Sequence, residues 1–129
     1  MREAMRSADE ESLPRLEALA ASLLGKEAAV WTPTCSAANL VALLTLAEPG
    51  ERVALEREVH ILTTEGMGIA SIAGLEPVSL DAGAGAAVVC LENTHTRAGG
   101  TVLSVEETAR LAATAPRAHI DGARLPNAA

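Results

Sequence analysis

The chain has 129 residues, 49% of them apolar, and a formal net charge of −7 at neutral pH. Its length allows one domain with a real core, yet that core must be built from Ala, Leu and Val, because Phe and Tyr are absent and Trp31 is the only aromatic residue. The acidic balance, the lack of a Lys/Arg run and the lack of stacking aromatics argue against nucleic acid and anionic membranes as partners. Small side chains bury little area each, at roughly 25 cal/mol per Å², so a thin core and marginal stability are expected unless another chain covers one face. No apolar stretch reaches the roughly 20 residues that span a bilayer. The opening Met1–Arg6 carries no signal-peptide pattern. Cys35 and Cys90 lie far apart and outside metal-ligand spacing, and read as two reduced, buried thiols of a cytoplasmic protein.

In chain order, Leu13 to Leu24 predicts an amphipathic helix with Leu16, Leu19, Leu23 and Leu24 on one stripe and Gly25 as its stop. Ala28–Trp31 reads as a short buried strand, and the turn Thr32–Ser36 leads into an apolar helix from Ala37 to about Ala47, closed by Pro49-Gly50. Arg52–Leu55 is strand-like, followed by a polar stretch to His60; Thr63-Thr64-Glu65 caps a helix to about Ala73-Gly74. Glu76–Leu80 and Ala87–Leu91 are strand-like, and Ser104 with Glu107 forms a capping-box pattern opening a helix to Ala115. Strand Arg117–Ile120 closes the series. Strands alternating with helices define an α/β fold, a three-layer α/β/α arrangement of a mostly parallel sheet covered on both faces. One link breaks the pattern: six residues, Asp81–Ala86, join two strands where a parallel crossover needs about a dozen. The two strands therefore form an antiparallel hairpin, or a crossover present in relatives has been lost.

Ligands of parallel sheets bind outside the carboxyl ends of the strands, which is where the chemistry-bearing residues fall. The turn at Thr34-Cys35-Ser36, between a strand and a helix, points free N–H groups and a helix dipole outward and suits a phosphate; a helix cap by Thr34 or Ser36 with nothing bound is the plain alternative. His60 can reach the same edge or be a solvated loop histidine. Glu92–Gly100 is a polar loop directly after an apolar strand, and its His95 can serve as acid or base near neutral pH. Asp121 can hold a proton on a pyridine nitrogen and Arg124 offers a planar fork to a carboxylate, unless the two form only a structural pair. The three histidines lack zinc-helix spacing, so no metal is expected, and Gly66-Met67-Gly68 and Gly83-Ala84-Gly85 fail as dinucleotide fingerprints.

Together Arg15–Leu40, His60 with Glu65, Cys90-Leu91-Glu92-Asn93-Thr94-His95, Arg97–Gly100 and His119–Asn127 resemble the threonine aldolase / β-eliminating lyase family of pyridoxal-phosphate enzymes, which has the aspartate-aminotransferase-like fold (fold type I). The resemblance covers most of this chain and the first half of the family's large domain. It implies that Thr34, Cys35 and Ser36 cradle the cofactor phosphate, with Cys35 where the family usually has glycine. It implies that His60 stacks on the cofactor ring, His95 lies near the substrate hydroxyl and assists proton transfer, Asp121 partners the pyridine nitrogen, and Arg124 grips the substrate carboxylate. The implied reaction is cleavage of a β-hydroxy-α-amino acid, such as threonine, to glycine and an aldehyde, by subunits that form homo-oligomers in full-length relatives.

The family's Schiff-base lysine lies on a later segment. The single lysine of this chain, Lys26, matches no catalytic position. Also missing are the family's N-terminal substrate-binding strand, its tyrosine-containing loop and the helix expected between Leu80 and Ala87. The 129 residues are thus expected to be a single incomplete cofactor-binding domain, truncated before the lysine and inactive alone. The alternative is a non-catalytic paralogue that binds an anion or pairs with a complete subunit.

Overall fold

The computed structural model describes residues 2–65 and 68–128, which form two compact units, Met1–Thr34 and Cys35–Ala129. The first unit is dominated by helix α1 (Arg2–Leu23), which starts well before the apolar stripe and runs through Pro14. It ends in a left-handed turn at Gly25 (φ +61°), with the Lys26 N–H returning to the Ala21 carbonyl at 2.9 Å. The apolar stripe is exposed: Leu16, Leu19 and Leu23 keep 49%, 57% and 76% of their surface. The expected strand at Ala28–Trp31 does not form. A strand needs a ladder partner, and the Trp31 N–H is instead taken by the Glu17 carboxylate at 2.8 Å.

The second unit begins with α2 (Cys35–Leu46) and continues through β1 (Arg52–Leu55), α3 (His60–Thr63), α4 (Gly68–Ser71) and β2 (Glu76–Ser79). After a 3₁₀ turn at Leu80–Ala82 come β3 (Val88–Glu92), α5 (Val105–Ala112), β4 (Arg117–Asp121) and α6 (Leu125–Ala128). The strands form one sheet in the order β2-β1-β3-β4, and each neighbouring pair is parallel. β3 is buried at all five positions, as a central strand covered on both faces must be. The core joins Leu43 of α2 to Val53, Leu55, Val88 and Cys90 of the sheet and to Ile61 and Ile69 of the short helices. The capping box is present, with the Ser104 hydroxyl accepting the Glu107 N–H at 3.1 Å. Among the described residues no helix is long and apolar enough to cross a membrane.

Three expectations are corrected. The helix expected from Thr63 to Ala73 is two single turns, because Thr64 closes α3 by donating to the His60 carbonyl rather than opening a helix; part of Gly66-Met67-Gly68 lies outside the described residues. The link after β2 is not a hairpin: β2 and β3 flank β1 and both run parallel to it, so residues 80–87 cross β1 and return. The thiols also differ, since Cys90 is buried while Cys35 is exposed. Burial pushes the Cys90 thiol up to about 12, so it carries almost no thiolate at neutral pH. A disulfide-exchange reagent is therefore expected to titrate one thiol in the native chain and a second only in denaturant. Two fast-reacting native thiols would contradict the packing of β3.

Candidate functional site

The parallel register brings the carboxyl ends of β3 and β4 level, with Glu92 opposite Asp121, and the Asn93 N–H extends the ladder to the Asp121 carbonyl at 3.0 Å. A cavity of about 210 Å³ opens at this edge, lined by Cys35, His60, Glu92, Thr94, Thr96, Asp121, Ala123 and Arg124. Three separate segments, the start of α2, the start of α3 and the end of β4 with the chain just beyond it, therefore bring four of the sequence-derived candidates to one place. Cys35 is the first residue of α2, so the positive end of that helix dipole borders the cavity.

Glu92 organises the wall. It is 4% exposed, and its carboxylate accepts the backbone N–H of His60 at 2.7 Å through one oxygen and that of Thr96 at 2.9 Å through the other. Burial alone raises its pKa, but these hydrogen bonds and the nearby His95 outweigh burial and hold the carboxyl below its usual value. The Thr96 hydroxyl in turn accepts from Arg124 Nη1 at 2.5 Å. Arg124 forms no ion pair with Asp121 among the described residues, so the purely structural pairing is not what the chain adopts.

Asp121 is held from two sides. Its Oδ1 accepts the Ala123 N–H at 3.3 Å and its Oδ2 accepts the Asn39 amide at 3.2 Å. The His60 imidazole is 43% exposed, and its Nε2 stands 4.0 Å from Glu65 Oε1.

The other candidates fall elsewhere. Ser36 lines a separate, mainly apolar pocket of about 170 Å³ with Leu40, Ile61 and Ile69. Thr34 is the last residue of the first unit, where its carbonyl accepts the Thr32 hydroxyl at 3.0 Å. His95 is 6% exposed and does not line the cavity. Its Nδ1 accepts the Ala98 N–H at 3.2 Å and its Nε2 meets Glu56 Oε2 at 3.1 Å, so both ring nitrogens are engaged within the chain. Among the described residues no cluster of His, Cys, Asp and Glu has the geometry of a metal site.

Glu92, Asn39 and Thr96 received no role from sequence reasoning. For Asn39 a signal exists: it is the lone amide in the apolar run Ala37–Leu44, and such a residue is buried only with its hydrogen bonds made. Glu92 carries a comparable mark as the first charge after a fully apolar strand.

An α/β unit with a polar cavity at the carboxyl edge of a parallel sheet is the class that fold and site define. The model of the beta-eliminating lyase family matches residues 3–86 and 81–129, two segments that meet in the link after β2. The chain belongs to that family. It is 34% identical to low-specificity L-threonine aldolase 1 of Arabidopsis thaliana over 164 residues, covering 99% of this chain and 46% of the relative. That alignment is longer than this chain, so the relative carries positions that are lacking between matched segments. A low specificity L-threonine aldolase of Escherichia coli O157:H7 is 40% identical over 76 residues, covering 59% of this chain and 23% of the relative. A crystal structure from Listeria monocytogenes EGD-E, described as a putative L-allo-threonine aldolase, superposes with a TM-score of 0.77 at 24% identity and covers 88% of this chain and 37% of that one. The fold is therefore part of a fold type I large domain, and the chain spans less than half the length of these relatives.

Proposed function

We propose that the second unit is the binding part of a pyridoxal-phosphate lyase of the threonine-aldolase kind, whose substrate is a small β-hydroxy-α-amino acid such as threonine. The observation that carries this reading is the convergence of His60, Asp121, Arg124 and Cys35 on one cavity. The donor set fits the cofactor. An ionised carboxylate has about four lone-pair positions, and the two contacts on Asp121 leave room for a protonated ring nitrogen. Cys35, the first residue of α2, lines the same space, so the positive end of that helix dipole lies beside it, which suits the phosphate. The cysteine in place of the usual glycine puts a side chain into that cradle, and Cys35 is the single member of the Thr34–Ser36 turn that lines the cavity.

When bound, the cofactor supplies an electron sink for the pair released at the substrate α-carbon. Asp121 keeps the proton on the ring nitrogen. His60, with its backbone pinned by Glu92, presents its imidazole to the ring. Arg124 spends one N–H on Thr96 and retains the rest of its fork for a carboxylate. No proton-transfer step is routed through His95, because Ala98 and Glu56 occupy its nitrogens. No lysine is among the described lining residues, and Lys26 belongs to the first unit. These residues therefore bind and orient, while the amine comes from outside this set. Two unpaired cysteines support a cytoplasmic setting, and the exposed leucines of α1 support assembly as a homo-oligomer.

Titration with pyridoxal phosphate, followed by absorbance and by thermal stability, tests the reading. Saturable binding is expected, with no adduct on Lys26 after borohydride. Asp121→Asn, which removes the anionic partner of the ring nitrogen, is expected to weaken binding by roughly tenfold, the equivalent of about 1.4 kcal/mol. Equal affinity in the Asp121→Asn variant, or a borohydride-fixed Lys26, would count against it.

A further inference from the structure

Asn39 is 4% exposed on α2, and three polar groups from two other segments, Glu65 after α3 and His119 and Asp121 of β4, converge on its one carboxamide. Its Nδ2 donates to Glu65 Oε1 at 2.9 Å and to Asp121 Oδ2 at 3.2 Å, while its Oδ1 lies 2.8 Å from His119 Nε2. Ionised carboxylates only accept hydrogen bonds. Both amide hydrogens must therefore face Glu65 and Asp121, which turns the amide oxygen to His119. An oxygen cannot donate, so His119 must present Nε2–H. The tautomer of a half-buried histidine is thus fixed by the two carboxylates on the far side of one amide.

We propose that Asn39 is the positioning residue for Asp121, one amide that orients the Asp121 carboxylate and ties it to Glu65 and His119. The inference rests on the reading of Asp121 as partner of the ring nitrogen. Asn39 from α2 holds Oδ2 and the Ala123 N–H holds Oδ1, so the carboxylate plane is set by donors from two elements. Sharing the two amide hydrogens also gives each of the two carboxylates a donor from the same side chain. Glu65 is in turn 4.0 Å from His60 Nε2, so the same amide connects the group at the ring nitrogen to the group at the ring face. His119 stays a neutral donor: its burial lowers its pKa, against the opposing pull of Asp121 and Glu65.

The test uses the whole chain, unmodified and as Asn39→Asp and Asn39→Leu, with Asp121→Asn as reference. Nitrogen-15 NMR of the unmodified chain is expected to show His119 as the neutral Nε2–H tautomer at pH 7; the Nδ1–H tautomer would overturn the proposal without any variant having to fold. In Asn39→Asp the shape is kept but both donors to the carboxylates are lost. Carbon-13 titration of Asp121 is then expected to move to higher pH, and pyridoxal phosphate to bind roughly tenfold more weakly at pH 7. A merely structural Asn39 would lower the melting temperature and leave the Asp121 titration in place, which would also overturn it. The two readings fail separately. If Asp121→Asn leaves cofactor affinity unchanged while Asn39→Asp shifts the Asp121 titration, the cofactor reading falls and the positioning role stands.

Discussion

Replacing Glu92 by Ala is expected to lower the unfolding free energy by about 1–3 kcal/mol, the penalty of orphaning a partly buried donor, and to abolish saturable binding of pyridoxal phosphate. The carboxylate is the common acceptor for the N–H groups of His60 and Thr96. Without it, the start of α3 and the loop after β3 lose their shared anchor. Through Thr96 the loss reaches Arg124, so one truncation disturbs both ends of the cavity wall. The Thr96 donor is exposed and refills with water, so the stability cost comes chiefly from His60. Glu92→Gln separates charge from geometry. Its amide oxygen replaces one acceptor, while its NH₂ faces the other backbone N–H.

The acid limb carries the matching signature. Glu92 titrates below its ordinary value of 4.5 in the folded chain, so its contribution is fully present above that pH and is lost as pH falls through the folded value. His119 acts in the same direction earlier. Its folded pKa is below 6.5, so from pH 6.5 downward the unfolded chain takes up a proton that the folded chain refuses. Chemical denaturation of the unmodified chain is expected to lose stability from about pH 6.5 and further below 4.5. In Glu92→Gln the lower step should shrink while the upper remains. An unchanged lower step would mean that the Glu92 contacts do not form in solution.

Most of the second unit is legible in the sequence because its signals are local. The four strands fall within a residue or two of the bounds their sequence predicts, and Ser104 with Glu107 marks the start of α5. Failures occur where tertiary context overrides the local pattern. Arg2–Ser12 lacks an apolar stripe, so periodicity is silent on the first half of α1. Ala28–Trp31 has strand composition, but the Trp31 N–H takes a carboxylate in place of a neighbouring strand. The candidate site shows the same division. Asp121, Arg124 and His60 stand beside strand ends, where a parallel sheet puts its chemistry, and can be named from position alone. Glu92 and Asn39 cannot, because their roles depend on which groups a fold with long-range pairing carries to them: Asn39 meets residues 26, 80 and 82 positions away.

Gly83→Ala is the sharpest test of the short crossover. A Cβ at residue 83 would stand 2.6 Å from the Ala54 Cβ in the middle of β1 and 3.1 Å from the Leu80 carbonyl oxygen. Gly83 is buried, and it donates its N–H to that same carbonyl at 3.1 Å. The link between β2 and β3 is therefore pressed onto the sheet rather than looped over it, and this close approach is how so few residues cross β1 and return. Farther along, the Ala84 carbonyl accepts from the Arg52 guanidinium and the Ala87 N–H reaches the Arg52 carbonyl at 2.9 Å, so the second half of the link is fastened to Arg52 at two points. The backbone of Gly83 (φ −78°) is open to any residue, so the effect of the substitution is steric. Overpacking of this kind costs about 1–3 kcal/mol. Ala54→Gly removes the atom that the new methyl would strike. In a double-mutant cycle Gly83→Ala is expected to be markedly less costly in the Ala54→Gly background than alone, a coupling of about 1 kcal/mol or more between the two sites. Additive costs would show that the crossover stands off the sheet, and a link of eight residues would then have to be accommodated by a different strand order.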